Sequence, residues 1–146
     1  MMKKLFLVLI SVLLFGCNKT EINNNCIFLL DINFTTTINL NLPQFNQLLF
    51  PSNAVRIEGF GNEGIILYRL NSATLLAWDG ADPNHIPSAC SELTVESGSI
   101  IATCGCEDGN AYNLATGTFS GDNPLLCTLK PYRVEAIGNN NFLISN

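Results

Sequence analysis

The residues best suited to chemistry in this 146-residue chain fall in two loops. The first, residues 82–90, reads Asp-Pro-Asn-His-Ile-Pro-Ser-Ala-Cys and contains His85, the only histidine. The second, residues 103–117, contains the run Cys104-Gly105-Cys106-Glu107-Asp108. Together the loops hold three of the six cysteines. Thiolate, imidazole and carboxylate are the side chains of metal sites and of acid–base or nucleophilic catalysis.

A single zinc-like ion is one chemistry that these loops allow. Its candidate ligands are Asp82, His85, Cys104 and Glu107, which offer the nitrogen, sulfur and oxygen atoms that zinc accepts. The chain has no Cys-x-x-Cys or His-x-His spacing to reinforce the set.

Nucleophilic catalysis would have to use His85, because the chain has no second histidine. Its possible nucleophiles lie in the same Pro-bounded turn and are Ser88, Cys90 and Ser91. A carboxylate pair drawn from Asp82, Glu107 and Asp108 is a further option, although acidic residues in turns are commonly solvated turn formers. We predict no catalytic residue.

The spacing of Cys104 and Cys106 raises the question of a redox-active thiol pair. No lysine or arginine lies nearby in sequence to lower a thiol pKa, and the carboxylates of Glu107 and Asp108 would raise it. A structural role for these cysteines is therefore the preferred interpretation.

Short β-strands must position the two loops, because apolar and polar residues alternate over most of the chain. In residues 31–42 the apolar face consists of Ile32, Phe34, Ile38, Leu40 and Leu42. Further strands are predicted at 55–58, 65–70, 74–78, 93–95, 100–103, 132–137 and 142–144, with one helical turn at 45–49. Strands 132–137 and 142–144 form a hairpin around Gly-Asn-Asn-Asn. This pattern predicts an all-β antiparallel sandwich or barrel.

The amino terminus is typical of an exported lipoprotein. Lys3 and Lys4 precede an apolar run, residues 5–15, which is too short to cross a bilayer as a helix. The run ends in Leu-Phe-Gly followed by Cys17, the expected lipidation site; the alternative is an ordinary secretory signal. Residues 18–25 form a polar tether, and residues 26–146 form one domain of sufficient size for a core.

The charge of the chain argues against nucleic acid as a partner. Removing the leader with its two lysines lowers the formal net charge from −5 to −7. So acidic a surface has no electrostatic reason to bind nucleic acid or anionic lipid.

The order of these features resembles the Rieske [2Fe–2S] family, whose loops read Cys-x-His and Cys-Pro-x-His-Gly, followed by an aromatic, Asp or Asn, and Thr-Gly. The resemblance covers residues 55–146. Its landmarks here are Trp78 at the end of a strand, the apolar run 100–102, Thr116-Gly117, a loop around Pro124, and then Leu129, Tyr132 and Val134. Residues 26–53 have no counterpart and are predicted to be an added N-terminal strand pair.

The resemblance places the four cluster ligands on residues that mostly differ from those of the family. The first cysteine falls on Asp82, the first histidine on Asn84 and the second cysteine on Cys104. The second histidine falls on Glu107 or, allowing for one extra residue, on Asp108. A carboxylate is a poor ligand for iron–sulfur chemistry. We therefore predict no cofactor, with a [2Fe–2S] cluster as the alternative.

The resemblance also implies a disulfide between Cys90 and Cys106, since cytochrome-complex Rieske proteins carry a linked cysteine in each loop. An exported chain meets oxidising conditions in which such a pair forms. Cys26 and Cys127 are a possible second pair, which leaves Cys104 without a partner.

Together these features predict a lipid-anchored protein of the bacterial cell envelope, at the outer membrane or periplasmic face rather than in the cytoplasm. Its degenerate Rieske-like domain is expected to be a non-catalytic binding or structural module with an unidentified protein or small-molecule partner. The alternative is an electron-transfer protein with a [2Fe–2S] cluster or a single metal ion.

Overall fold

A computed structural model describes residues 26–122 and 125–146. The predicted leader, its lipidation site Cys17, the tether and Pro124 lie outside the described residues. Nine antiparallel strands and one 3-10 helix make up the described part, and the predicted all-β fold is confirmed. No helix within it is long and apolar enough to cross a membrane.

In chain order the strands are β1 (Thr35–Asn39), β2 (Ala54–Ile57), β3 (Ile65–Arg69), β4 (Leu75–Asp79), β5 (Leu93–Val95), β6 (Ile101–Cys104), β7 (Ala111–Asn113), β8 (Pro131–Gly138) and β9 (Asn141–Ser145).

The strands form two sheets. Six strands make the larger sheet in the order β1-β9-β8-β4-β3-β2, and β5-β6-β7 make the smaller one. The 3-10 helix, Asn46–Leu49, lies where a single helical turn was predicted and buries Leu48.

The β3–β4 hairpin separates two hydrophobic cores. On one face, Ile65 and Leu67 pack with residues of β1, β8 and β9. On the other face, Ile66 and Tyr68 pack with Leu93, Ala102 and Tyr112 of the small sheet. Every residue of β3 is buried, which explains why residues 65–68 are a continuous apolar run rather than an alternation. The strand predicted at 65–70 is confirmed, one residue shorter.

The C-terminal hairpin is also as predicted, with each strand extended by one residue at either end. Its turn residues Asn139 and Asn140 have φ of 50° and 59°. Positive φ at both central positions defines the type I′ turn that matches the twist of the flanking strands.

The N-terminal segment differs from its prediction. Residues 26–53 supply one strand, β1, rather than a strand pair, and β1 is much shorter than the predicted strand 31–42. The length of β1 is limited by its partner, because β1 pairs only with β9, from Thr35 opposite Ser145 to Asn39 opposite Asn141, the first residue of β9. Beyond that ladder Ile32 and Leu42 are exposed. Phe34, Ile38 and Leu40 of the predicted inner face pack in the core that contains Ile65 and Leu67, as expected.

Candidate functional site

The small sheet brings the two loops together at one of its ends. The first loop leads from β4 into β5, and the second loop connects β6 to β7. Leu93 at the start of β5 pairs with Cys104 at the end of β6, so the loops leave the sheet side by side. A Cβ atom on Gly105 would lie 3.1 Å from the carbonyl oxygen of Cys90. The absence of a side chain at Gly105 therefore allows the two backbones to approach closely.

The carboxylate of Asp82 is the centre of the site. Asp82 is completely buried. Its Oδ1 accepts hydrogen bonds from the Tyr112 hydroxyl and, at 2.9 Å, from the Asn84 backbone N–H. Its Oδ2 accepts from Asn110 Nδ2 at 2.9 Å and lies 2.8 Å from Nδ1 of His85. Four polar groups from both loops and β7 thus converge on one carboxylate.

These contacts keep Asp82 ionised. Burial by itself raises the pKa of Asp82, but the hydrogen bonds from Tyr112, Asn84 and Asn110 outweigh it and hold the pKa below its ordinary value. Burial and the adjacent carboxylate raise the pKa of Tyr112 far above its ordinary value. At neutral pH the pair is therefore a carboxylate that accepts and a phenol that donates.

Asn84 connects the first loop to the segment that precedes β8. Its Nδ2 donates to the Tyr112 hydroxyl oxygen at 2.8 Å and to the Cys127 carbonyl at 2.9 Å. Its Oδ1 accepts from the Cys127 N–H at 3.0 Å. A disulfide joins Cys127 to Cys26. The amide of Asn84 is fully used in holding these backbones together.

His85 lies between two carboxylates and beside a thiol. Its Nδ1 faces Asp82, and its Nε2 lies 3.0 Å from Oδ2 of Asp108. Cys104 Sγ is 3.6 Å from the same Nδ1. Burial raises the pKa of Cys104 to about 11, despite the Cys106 N–H that donates to its sulfur. The thiol is therefore protonated at neutral pH and is not an activated nucleophile.

Two disulfides cross-link the domain. Cys90 is bonded to Cys106, the pair that the family resemblance implied, and Cys26 is bonded to Cys127. Cys104 is the only free cysteine among the described residues, and it is buried.

The structure brings some of the predicted site residues together and leaves others apart. Asp82, His85 and Cys104 are mutual neighbours. Glu107 is exposed and forms no hydrogen bond within the described part of the chain, so it does not complete the predicted single-ion set. Asp108 reaches His85 instead, which favours the alternative register of the second loop.

The serine candidates for catalysis do not contact the histidine. Ser91 Oγ donates to the Ser88 carbonyl and accepts from the Ser88 N–H, and the Ser88 hydroxyl faces Cys90 Sγ at 3.5 Å. Ser91 Oγ also lies 3.1 Å from Oε2 of Glu63, so neither hydroxyl is directed at His85.

Sequence reasoning missed two members of the site, Asn110 and Tyr112. They belong to or flank β7, which was interpreted as part of a loop. At three residues, β7 is too short to show an alternation, and it pairs with β6 through Ala102 and Tyr112. In the family, an aromatic residue follows the Cys-Pro-x-His-Gly motif, and this was the one signal that could have identified Tyr112.

The donor set does not fit a [2Fe–2S] cluster, which takes two thiolates and two imidazoles. At the positions that the family resemblance assigns to the first cysteine and first histidine, Asp82 and Asn84 have their polar atoms engaged by protein hydrogen bonds. The sulfurs of Cys90 and Cys106 are bonded to each other. Among the assigned positions, only position 104 still has a side chain of the type that the cluster requires.

No protein-family model matches the chain, and no curated protein sequence matches it. Among solved structures it is similar to the quaternary ammonium Rieske monooxygenase CntA, solved with L-carnitine, with a TM-score of 0.52 and 17% identity. That match covers 79% of this chain and 32% of the monooxygenase, so the chain spans about a third of that protein. A protein assigned as the NADH-dependent nitrite reductase small subunit of Mycobacterium tuberculosis matches with a TM-score of 0.46 and 18% identity, covering 80% of this chain and 97% of that one. The match to the monooxygenase shows that the described chain has a Rieske-like fold.

Proposed function

We propose that this chain is a lipid-anchored protein of the bacterial cell envelope whose Rieske-like domain is a non-catalytic binding or structural module. The supporting observation is the environment of Asp82. At the position of the first cysteine ligand, this buried carboxylate accepts hydrogen bonds from Tyr112, Asn110 and the Asn84 backbone. These are contacts that hold a loop in place rather than contacts that prepare it for a metal.

In this proposal, hydrogen bonds and a disulfide do what a cluster does mechanically in a Rieske domain, namely join the two loops. A hydrogen bond to a charged group contributes about 1.5–3 kcal/mol to stability. A disulfide that closes a loop of this length contributes on the order of 3 kcal/mol. The loops therefore have enough connections to remain ordered with no metal present.

The anchor in this proposal is Cys17, with residues 18–25 as the tether to the folded domain. Eight extended residues span at most about 26–29 Å. A domain on so short a tether stays near the membrane surface, which suits a module that acts on partners within the envelope. An electron-carrier role with a Rieske cluster would require two thiolates and two imidazoles, and of the four positions that the resemblance assigns only Cys104 carries one of them.

The test is the metal content of the full chain, extracted from bacterial membranes in detergent. We expect no stoichiometric iron or acid-labile sulfide and no visible absorption. A reddish protein with iron and sulfide in equal amounts would refute the proposal that the domain works without a cluster.

A second experiment tests the anchor separately. The Cys17→Ser variant should keep a folded domain but leave the membrane fraction. If the variant is still recovered with membranes after a high-salt wash, the lipoprotein assignment is wrong.

A further inference from the structure

Three cysteines and the histidine converge beside the Asp82 network. The ligand atoms of His85, Cys104 and Cys106 lie within 4.8 Å of one another. Cys90 Sγ is covalently bonded to Cys106 Sγ, so reduction of this disulfide would free a third sulfur next to that group. Three sulfurs and one imidazole nitrogen are one of the ligand sets of tetrahedral structural zinc sites. In the oxidised protein two of these sulfurs are unavailable, because they form the disulfide.

We propose that reduction of the Cys90–Cys106 disulfide creates a site for one Zn²⁺ ion with the ligands Cys90, Cys104, Cys106 and His85. This site goes beyond the proposed function and uses a different ligand set from a Rieske cluster. Neither Asp82 nor Glu107 is a ligand in it. Oxidation closes the site and reduction opens it, so metal binding reports the redox state of the envelope.

The reaction requires a dithiol reductant. The dithiol supplies two electrons and two protons, becomes a disulfide itself, and leaves Cys90 and Cys106 as thiols. Zn²⁺ then displaces the protons of three thiols and accepts the lone pair of His85 Nδ1, while Nε2 keeps its proton. Cys90 is exposed and Cys106 is partly exposed, so both the reductant and the ion can reach the sulfurs.

The surroundings of the site suit a metal. Zinc-bound histidines usually donate the other ring N–H to a carboxylate, which fixes the ring. Asp108 Oδ2 lies 3.0 Å from His85 Nε2 and can accept that hydrogen bond. This leaves Nδ1 facing Cys104 Sγ at 3.6 Å. Zinc on Nδ1 would remove one contact from Asp82, which keeps those from Tyr112, Asn84 and Asn110.

Cys104 is the one sulfur of the proposed site that is free in the oxidised protein, and it is buried between the two loops. A bound dication deprotonates a coordinating thiol outright. The Cys106 N–H that donates to Cys104 Sγ at 3.4 Å would then stabilise the thiolate.

The experiment uses the full chain in detergent and Co²⁺ as a spectroscopic probe that occupies zinc sites. The protein is titrated with Co²⁺ as purified and after reduction with a phosphine. We expect the reduced protein to bind one Co²⁺, with the visible bands of tetrahedral cobalt–thiolate coordination, and Zn²⁺ to displace it. The oxidised protein should give no such bands. Equal binding by both forms, or no binding by the reduced form, would overturn the proposal.

Cys104→Ser is the decisive variant. Cys104 forms no disulfide, so the oxidised variant keeps both cross-links. After reduction it still has the thiols of Cys26 and Cys127, and it should nevertheless lose saturable Co²⁺ binding. The matched control, Glu107→Gln, should bind as the wild type does. Unchanged binding by Cys104→Ser, or lost binding by Glu107→Gln, would refute this ligand set.

Asp108→Asn tests the orienting role of the carboxylate. We expect the cobalt–thiolate bands to remain while the affinity for Co²⁺ falls about 10–100-fold. The fluorescence of Trp78, the only tryptophan, monitors folding in each titration. If reduction unfolds the domain, Co²⁺ or Zn²⁺ should restore the native emission. A reduced protein that stays unfolded with excess metal would contradict the proposal.

Discussion

The hydroxyl of Tyr112 donates a hydrogen bond to Oδ1 of Asp82 and so joins β7 to the loop that leads into β5. Both residues are completely buried. The bond connects the two loops from inside the domain, while the Cys90–Cys106 disulfide connects them nearer the surface. The stability of the loop pair therefore depends on two separate cross-links that can be tested one at a time.

Removing the Tyr112 hydroxyl should destabilise the domain. Tyr112→Phe leaves a buried carboxylate without one of its donors, and an unsatisfied buried group costs about 1–3 kcal/mol. The free energy of unfolding from urea titration measures the loss. Tyr68→Phe is the matched control. Tyr68 is a buried tyrosine of the same core as Tyr112, but its hydroxyl has no hydrogen-bond partner among the described residues. An equal loss in the two variants would contradict the assigned role of Asp82.

The lowered pKa of Asp82 makes stability depend on pH in a defined direction. Because the folded pKa lies below that of the unfolded chain, about 3.9, the ionised carboxylate stabilises the fold above that pH. Its contribution is lost as pH falls below about 4 and through the folded pKa. The difference in unfolding free energy between wild type and Asp82→Asn should shrink over that range. Asp122→Asn, at an exposed position, should give a curve parallel to wild type.

The Cys90–Cys106 disulfide should contribute strongly to stability. Cys90→Ser is expected to lower the unfolding free energy by about 2–5 kcal/mol, the usual effect of removing a native disulfide from a small exported domain. Non-reducing peptide mapping of the wild type should recover the two loops as one linked peptide. Ser88→Ala, two residues away, should have little effect. Peptides that map Cys106 to another cysteine would show that the pairing is wrong.

The segment that leads into β1 should tolerate change far less on its inner face than on its outer face. The ring of Phe34 packs edge-on against Tyr132, with centroids 4.8 Å apart, and also contacts Phe60. Phe34→Asp places a charge in this cluster and should cost about 2 kcal/mol or more. Asn33→Asp alters an exposed neighbour and should have an effect within about 0.5 kcal/mol. Similar effects from both changes would show that the two faces of this segment were assigned incorrectly.

Restoring the missing ligands should test the relation to Rieske domains directly. Asp82→Cys with Asn84→His supplies one thiolate and one imidazole beside Cys104. Because Asp108 rather than Glu107 reaches into the loop pair, Asp108→His should complete the set better than Glu107→His. We expect more coloured protein from the Asp108 triple variant after reconstitution with iron and sulfide. Better uptake by the Glu107 triple variant would reverse the register assigned to the second loop.

Several elements were predictable because their causes are local. The apolar run at residues 65–68 of β3 indicates burial on both faces, and the Asn-rich turn between β8 and β9 requires residues that accept positive φ. The resemblance assigns two replaced ligands, Asp82 and Asn84, and one retained ligand, Cys104, from the order of residues around the two loops. The length of β1 was overestimated, because the apolar–polar alternation of residues 31–42 continues beyond the point where β9 offers a pairing partner.

The composition of the site was decided by the tertiary structure. Asn110 and Tyr112 reach Asp82 only because β7 pairs with β6, a contact between segments too short to carry a pattern of their own. The selection of Asp108 over Glu107 depends on how the second loop turns beside His85. The order of residues in the two loops predicted which cluster ligands of the family are replaced in this chain. Only the packing of three chain segments around one buried carboxylate determined what takes their place, because a buried charge is stable only where enough donors converge on it.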